Sequence, residues 1–231
     1  MKMNEAIETS VSQTEERQYR FSELSDRAKQ RAWDKHYAAF EPHDDWYDSV
    51  YAVAIEEGKT KGFDIDEIQF SGFWSQGDGA CWEGYINLIK KWATTTASDP
   101  NDPKLLMYME IVEDGWATEE VKIMRDRISY HHEGTMKLVT ELTCYARDNE
   151  DLMGSGLFEG KPVLSLWDAL GRFHEDYLDA LEKDILESAK DYAREIYRML
   201  EAEYEYLTSD EYISEMCDAN EWFFNEEGEM V

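Results

Sequence analysis

The chain has 231 residues, 52 of them acidic and 23 basic, and a formal net charge of −29 at pH 7. A charge this negative argues against direct binding to DNA, RNA or an anionic membrane surface, and it favours a partner that is itself basic. Hydrophobic residues make up 42% of the chain and include 8 Trp, 14 Tyr and 9 Phe, which excludes a disordered acidic tail and predicts a folded core.

The chain is predicted to begin with a flexible leader and to continue as one domain. Residues 1–20 are polar and mixed in charge, so we expect them to form the leader. Residues 21–231 are expected to form a single α+β domain. Residues 94–103, with the sequence TTTASDPNDP, are rich in turn-forming residues and are the best candidate for an internal boundary.

The start of this domain predicts two helices and a β-hairpin. Ser22 or Ser25 can cap a helix that ends at the next proline, and a second helix is expected from near Asp44. Residues 65–74 and 80–86 are typical of strands. The sequence SQGDG lies between them, and its two glycines suit the positive-φ positions of a tight turn.

The rest of the chain adds two strands and three helices. Residues 104–116 are expected to be helical, and 120–131 and 135–145 are expected to be strands. A helical period runs through 163–207, with an apolar stripe that includes Ile185, Ala189, Ile196 and Leu200. Residues 208–211 form a capping-box sequence that begins a final helix through Ile213, Met216 and Trp222. The predicted fold is therefore α+β, with a small antiparallel sheet of about four strands, flanking helices and a long acidic C-terminal helix.

Cysteine usage and hydropathy predict a soluble protein of the cytoplasm. Cys81, Cys144 and Cys217 are odd in number and widely spaced, which is typical of free thiols in an intracellular protein. Residues 1–18 lack the apolar stretch of a signal peptide. No run approaches the roughly 18 apolar residues of a membrane span, so no contact with a membrane is expected.

The acidic residues concentrate along the long helix and the segment that follows it. Steps of four from Glu175 place carboxylates on one side of a helix, about 6 Å apart, which is close to the spacing of DNA phosphates at roughly 6–7 Å. After Arg198 the chain has no Lys or Arg. The alternative is an ordinary solvated helix face, whose acids are partly offset by Lys183, Lys190, Arg194 and Arg198. The residues predicted to bind a basic partner are Glu187, Asp191, Glu195, Glu201, Glu203, Glu205, Asp210 and Glu211.

The hairpin sequence SGFWSQGDGACW offers a second candidate site. Trp74 and Trp82 could stack a base, while Gln76 or Asp78 reads its edge. Residues 62–89 contain no Lys or Arg to neutralise a phosphate, and no dinucleotide-binding or P-loop pattern is present. The alternative is structural, with a Gly-Asp-Gly turn and Trp side chains that pack on the sheet.

Metal binding and catalysis are not predicted. His131 and His132 are adjacent, so in a strand they would face opposite sides and could not grip one ion together. The acidic strings near Asp44 and Asp64 do not fit an EF-hand loop. Cys81 lies in no nucleophile signature. We expect no metal site, no cofactor and no catalytic residues.

Three strings stand out from the rest of the sequence: FSELSDRAKQRAWDKH, IQFSGFWSQGDGACWEGYI and MLEAEYEYLTSDEYISE. They resemble a family of small acidic proteins from tailed bacteriophages and mobile elements, over residues 19–92 and 194–229. Some members of that family carry an antitoxin-type label. The resemblance implies a phage or mobile-element origin and an accessory role in the cytoplasm, and it transfers no catalytic residue.

These features predict a non-enzymatic phage accessory protein with an acidic, DNA-mimicking surface. We expect it to bind and inhibit a basic host protein that handles nucleic acid or serves in defence. One alternative is a protein that binds or sequesters a small ligand, such as a nucleotide, at the 71–82 hairpin. Another is an antitoxin that neutralises a basic toxin. A homodimer is a candidate assembly.

Overall fold

The computed structural model describes residues 17–88, 90–91, 120–126, 129–139 and 175–231, with the backbone alone for 175–181. Several sequence predictions lie outside these residues. They are the leader up to residue 16, the internal boundary at 94–103, the helix at 104–116, the later part of the strand at 135–145, and the start of the helix at 163–207.

The described residues form four α-helices and one four-stranded antiparallel sheet, which confirms the predicted α+β fold. The strands follow one another in chain order across the sheet, β1-β2-β3-β4. The helices are α1 (Asp26–Phe40), α2 (Asp48–Thr60), α3 (Glu175–Leu207) and α4 (Asp210–Ala219), and the strands are β1 (Phe63–Phe70), β2 (Ala80–Asn87), β3 (Glu120–Arg125) and β4 (Met136–Leu138).

The described chain separates into two compact units. The first unit combines the residues up to Asp45 with Tyr204–Val231, and the second unit is Trp46–Glu203. The first unit therefore takes in α1 and α4, while the second contains α2, the sheet and most of α3. The single domain predicted for 21–231 stays a prediction.

The core of the second unit lies between the sheet and one face of α3. The predicted stripe of the long helix is confirmed over residues 185–200, where Ile185, Ala189, Ile196 and Leu200 are all buried. The stripe is wider than the sequence pattern indicates. Its additional buried members are Tyr192 and Ala193.

Helix α2 begins later than the sequence predicts. Residues 44–47 form a turn, and the helix starts at Asp48. Its buried face is Val50, Ala54 and Gly58, spaced four residues apart. Val53 lies beside this narrow stripe and is 49% exposed. The close approach of Ile65 and Tyr192 to Gly58 explains why the helix needs a glycine there.

The predicted hairpin is present as β1 and β2. Phe63 pairs with Ile86 and Phe70 with Ala80, and the register shifts between Ile65 and Glu67. Gly84 lies opposite this shift with φ 152°, where an added Cβ would stand 2.1 Å from the backbone oxygen of Asp64. The irregular pairing therefore depends on a residue without a side chain.

Strands β3 and β4 are shorter than predicted. The expected strand at 120–131 ends at Arg125, and the expected strand at 135–145 begins at Met136. Thr135 belongs instead to a short 3₁₀ helix at Glu133–Thr135. This turn forms because His132 accepts hydrogen bonds locally, from the Gly134 N–H to its Nδ1 and from the Thr135 N–H to its carbonyl oxygen.

The first unit has its own core, built by α1, α4 and the segments beside them. Ser25 caps α1 by accepting a hydrogen bond from the Ala28 N–H, as one of the two predicted caps. Phe21, Phe40 and Phe224 meet edge to face in this core, with ring centroids 5.8 and 5.9 Å apart. Tyr19, which lies in the predicted leader, pairs with Phe224 as an antiparallel bridge.

Helix α4 begins at the predicted place but uses a different cap and ends earlier. Ser209 accepts a hydrogen bond from the Tyr212 N–H, so the residue three positions after the cap is a tyrosine and no capping box forms. The final helix was expected to reach Trp222. It ends at Ala219, and Glu221 follows with φ 56°.

In the part of the chain that the structure describes, no helix combines the length and the apolar character that crossing a membrane requires.

Candidate functional site

The acidic row predicted on α3 is partly neutralised within the second unit. Glu187 and Asp191 are exposed, and both accept hydrogen bonds from the Arg194 guanidinium, at 2.8 Å for Glu187. Glu195 receives the Lys61 ammonium on both carboxylate oxygens at 2.7 Å. The predicted row therefore lies on one helix, but three of its acids have a cation beside them.

Acids of the segment after Arg198 also form salt bridges, with cationic residues from the start of the first unit. Lys29 on α1 lies 2.7 Å from Asp210, and Arg20 lies 2.9 Å from Asp218. Two further pairs join the same segments, Arg31 with Glu227 and Lys35 with Glu229. Residues 20–35 therefore supply four counter-charges to the acids of 210–229.

The remaining acids of this segment form no ion pair among the described residues. Of the predicted partner-binding residues, Glu201, Glu203, Glu205 and Glu211 belong to this group. We use the name unpaired tail acids for those of the first unit that are exposed, which are Glu205, Glu211, Glu215, Glu221 and Glu226.

The structure places the four predicted hairpin residues in two different environments. Trp74, Gln76 and Asp78 lie in the loop between β1 and β2, and Trp74 is 78% exposed. Trp82 is fully buried, and its indole N–H donates to the Ala189 carbonyl oxygen at 3.1 Å. Because Trp82 faces α3 and not the loop, the four side chains do not line a common ligand pocket.

The loop is organised by its own backbone. The Ser75 N–H donates to the Asp78 carboxylate at 2.8 Å, and the Asp78 N–H donates to the Ser75 carbonyl oxygen at 3.1 Å. Gly77 has φ 92°, as predicted for this turn, and the Tyr130 ring packs where its Cβ would be. These contacts support the structural alternative for the hairpin.

Four cationic side chains of the second unit line an open cleft of about 570 Å³. One wall is α3, and the other is formed by the α2–β1 junction and the residues after β2. The name basic cleft is used below for this site. Its charged residues are Lys61, Lys91, Arg194 and Arg198, with the acids Asp191 and Glu195.

Two aromatic rings form the base of the basic cleft. Phe63 and Tyr192 are both buried, and their ring centroids are 5.0 Å apart. The Lys91 Nζ lies 5.1 Å from the Phe63 centroid, and the Lys61 Nζ lies 4.6 Å from the Tyr192 centroid. Both distances are within the range of cation–π attraction. The two ammonium groups are therefore held over neighbouring rings.

Burial lowers the pKa of Lys91 below its ordinary value, and the charge of Lys61 lowers it further, while Asp184 and Asp191 act in the opposite direction. Burial also raises the pKa of Tyr192, whose hydroxyl donates to the Ala54 carbonyl oxygen at 2.6 Å. Tyr192 is therefore a neutral, fixed part of the wall.

Sequence reasoning did not find the basic cleft. Arg194 and Arg198 were interpreted only as residues that offset the acidic face of α3. Lys61 and Lys91 lie in other segments, and no local pattern links them to the helix. The available signal was the spacing of Ser188, Asp191, Glu195 and Arg198, which repeats every three or four residues and so defines one face of α3.

The residues weighed for metal binding or catalysis have structural partners. His131 contacts Arg125 and Gln69 through Nδ1, and the pKa of His131 is lowered by burial first and by Arg125 second. Cys81 is buried, and burial raises the pKa of its thiol to about 11. Among the described residues, no group of three His, Cys, Asp or Glu side chains could hold a metal ion.

Comparisons with known proteins place the chain in one family. No curated protein and no solved structure matches the chain. A family model described as a domain of unknown function (DUF8835) matches residues 46–210. The match begins at the first residue of the second unit and ends at the first residue of α4, so it contains the whole basic cleft and the hairpin. The chain therefore belongs to the DUF8835 family.

Proposed function

We propose that this protein is a non-enzymatic binding protein that occupies a basic surface of a nucleic-acid-handling or defence protein. The observation that carries the proposal is the set of unpaired tail acids. Residues 20–35 neutralise four acids of the same segment, yet five exposed carboxylates of the first unit keep no counter-charge among the described residues. Together with the net charge of −29, they would steer a basic partner to this part of the chain.

Two of these acids are spaced like the phosphates of DNA, which suits a partner whose own surface binds phosphates. Glu211 and Glu215 lie four residues apart on α4, so their positions are separated by about 6 Å along the helix. Successive phosphates of one DNA strand are separated by roughly 6–7 Å. A protein that binds the DNA backbone through Lys and Arg side chains would meet a similar pattern of negative charge here.

The resemblance to acidic proteins of phages and mobile elements gives this proposal its biological setting. A protein of that origin would meet its target in the cytoplasm of the host cell. An antitoxin that neutralises a basic toxin would use the same carboxylates. The two versions, inhibitor of a nucleic-acid-binding protein and antitoxin, differ in one respect. Nucleic acid should compete for the partner only in the first.

The test is capture of partners by the full chain from a lysate of the natural host, at 0.1 M and 0.5 M salt. We expect a basic nucleic-acid-binding protein that is released by salt, because exposed charges are screened over about 10 Å at 0.1 M. Duplex DNA should also elute it. A small basic protein that duplex DNA does not elute would support the antitoxin version.

Charge-matched variants make the test specific to the unpaired tail acids. The test variant combines Glu211→Gln, Glu215→Gln and Glu226→Gln, and it should lose capture. The control combines Glu57→Gln, Asp64→Asn and Asp66→Asn, three exposed acids of the second unit, and it should keep capture. Equal capture by both variants, or capture that does not depend on salt, would contradict the proposal.

A further inference from the structure

A continuous group of aromatic side chains surrounds the loop between β1 and β2. Phe73 lies at its centre, with ring-centroid distances of 4.8, 5.3 and 5.5 Å to Phe70, Trp74 and Tyr197. Trp46 completes the group, at 6.0 Å from Phe70 and 6.3 Å from Phe73. All five residues belong to the second unit, and each keeps part of its surface exposed. The name aromatic patch is used below for these five residues.

Trp74 is the most exposed member of the aromatic patch, and its backbone adopts a conformation that bulky residues rarely take. Its φ is 67°, and 78% of its surface is exposed. The left-handed region is unfavourable for a residue with a Cβ, whereas glycine enters it without cost. Core burial does not offset this cost, because most of the ring faces solvent. An unfavourable conformation that presents an exposed tryptophan is typical of a binding residue.

The turn that follows Trp74 fixes the position of its ring. The Asp78 carboxylate accepts the Ser75 N–H at 2.8 Å, and the Ser71 N–H donates to the Gly79 carbonyl oxygen at 3.3 Å. These two bonds close the loop on itself. The tryptophan therefore has its outward position before a partner arrives, which reduces the entropy lost on binding.

Two carboxylates lie beside the aromatic patch. Glu201 follows Tyr197 by one turn of α3 and so lies on the same side of the helix. Asp78 lies next to Gly72, where an added Cβ would stand 3.6 Å from its carboxylate oxygen. Burial raises the pKa of Tyr197, and the charges of Glu201 and Asp78 raise it further. Arg198, the next residue of α3, lines the basic cleft. The rings and carboxylates together favour a cation over a phosphate.

We propose that the aromatic patch binds an arginine side chain of a basic partner protein, with Trp74 as the stacking surface and Asp78 and Glu201 as the attracting carboxylates. A guanidinium stacks on aromatic faces and donates paired hydrogen bonds to a carboxylate, which a lysine ammonium does less well. Asp78 keeps acceptor capacity beyond its bond with Ser75, because a carboxylate has two oxygens. The site lies in the second unit, so it does not depend on the function proposed for the unpaired tail acids.

The experiment follows the Trp74 indole N–H by nuclear magnetic resonance in the ¹⁵N-labelled full chain. The signal is assigned as the one that is missing from Trp74→Phe. The probe is the blocked peptide GRGRG, at an ionic strength of about 0.15 M. One control peptide is GKGKG, which has the same charge, and another has citrulline in place of both arginines. We expect GRGRG to shift the signal and both controls to bind at least about threefold more weakly.

Variants of the patch separate its contribution from the general attraction of an acidic chain. Trp74→Ala, followed through the backbone signals of the loop, and Asp78→Asn should each weaken GRGRG binding at least about fivefold. Asparagine keeps an oxygen that can accept the Ser75 N–H, so the turn should persist. Asp64→Asn is the matched control. It removes the same charge from an exposed residue of β1, and it should change affinity less than about twofold.

A further variant tests whether Trp74 serves folding instead. Glycine adopts φ 67° without strain, so Trp74→Gly should melt at a higher temperature than Trp74→Ala. The reverse order would contradict the backbone conformation on which the inference rests.

Four results would overturn the proposal. They are a Trp74 signal that GRGRG does not shift, equal binding of GKGKG or the citrulline peptide, a larger shift with AMP than with GRGRG, and a signal that moves on dilution of the protein alone. The third would assign the patch to a nucleotide base, and the fourth to contact between copies of this chain. The variant Glu211→Gln, Glu215→Gln, Glu226→Gln should keep the wild-type affinity for GRGRG, which separates this test from that of the unpaired tail acids.

Discussion

Trp82 donates its indole N–H to the backbone carbonyl oxygen of Ala189 at 3.1 Å, and both residues are fully buried. The bond joins β2 to the middle of α3. Phe63 packs against the indole with ring centroids 5.4 Å apart. The hairpin is therefore anchored to the long helix by the second of its tryptophans, while the first, Trp74, stays at the surface.

Replacing Trp82 should destabilise the protein much more than replacing Trp74. We expect Trp82→Ala to lower the free energy of unfolding by about 3–5 kcal/mol, because it leaves a cavity and removes the hydrogen bond. Trp74→Ala should cost less than about 1 kcal/mol, since most of its surface is already exposed. Urea titrations of the two variants would check this. Similar losses in both would contradict the placement of Trp82 in the core.

The two tryptophans show what the sequence could predict about the hairpin. Strand periodicity and the SQGDG turn gave both strands, because alternation and turn-forming glycines are local signals. The same local signals could not show which tryptophan faces α3. That depends on a helix more than 100 residues away in the chain, whose position is a property of tertiary packing.

Gly84 should tolerate alanine far less well than Gly134. At Gly84 a Cβ would meet the backbone oxygen of Asp64 at 2.1 Å in a conformation with φ 152°, so Gly84→Ala should cost about 3 kcal/mol or more. At Gly134 the nearest atoms belong to the His132 ring, which can turn aside, so Gly134→Ala should cost about 1 kcal/mol. Thermal unfolding of both variants tests the difference. An equal loss would mean that the irregular pairing of β1 and β2 does not need a glycine.

The Lys35–Glu229 pair should make the stability of the first unit depend on pH in the acidic range. The pKa of Glu229 is lowered from its usual 4.5, first by its hydrogen bond with Lys35 and then by the charge of that lysine. A carboxyl whose pKa is lower in the folded state stabilises the fold at pH values above its unfolded pKa. That stabilisation is lost as the pH falls through the lowered pKa.

Glu229→Gln should therefore lower the melting temperature at neutral pH, and the difference from wild type should shrink as the pH falls below about 4.5 and vanish once the pH is below the lowered pKa of Glu229. Glu226→Gln is the matched control, because it removes the same charge from an exposed residue without an ion pair among the described residues. It should leave the melting temperature unchanged or raise it slightly, since it relieves repulsion in an acidic protein. If the melting temperatures of the two variants changed with pH in the same way, the ion pair would not contribute to stability.

The buried thiols should be unreactive while the protein is folded. Burial raises the pKa of both Cys81 and Cys217 to about 11, so only about 0.1% of each thiol is ionised at pH 8. In a Cys144→Ser variant, which leaves these two cysteines, we expect Ellman's reagent to label neither until denaturant is added. Rapid labelling of the native variant would contradict the burial of one or both.

Sequence patterns could not predict the ion pairs of the first unit or the basic cleft, and the physical reason is the same for both. The charge pattern showed where acids accumulate, but it could not assign counter-charges. Lys35 and Glu229 are 194 residues apart, and Lys61 and Glu195 are 134 residues apart. The total count of acids therefore overstates the negative charge that remains available to a partner. It also gives no sign of the four cations that line the cleft, which forms only where three segments of the chain meet.

The first unit is closed by residues that are distant in the chain, and this has a consequence during synthesis. His36 on α1 accepts a hydrogen bond from the Met230 N–H, 194 residues later, and Tyr19 is paired with Phe224. At a translation rate of roughly 5–20 residues per second, α1 waits about 10–40 s for these partners. During that interval the apolar side of α1 is uncovered on the ribosome, where a chaperone or another nascent chain can reach it.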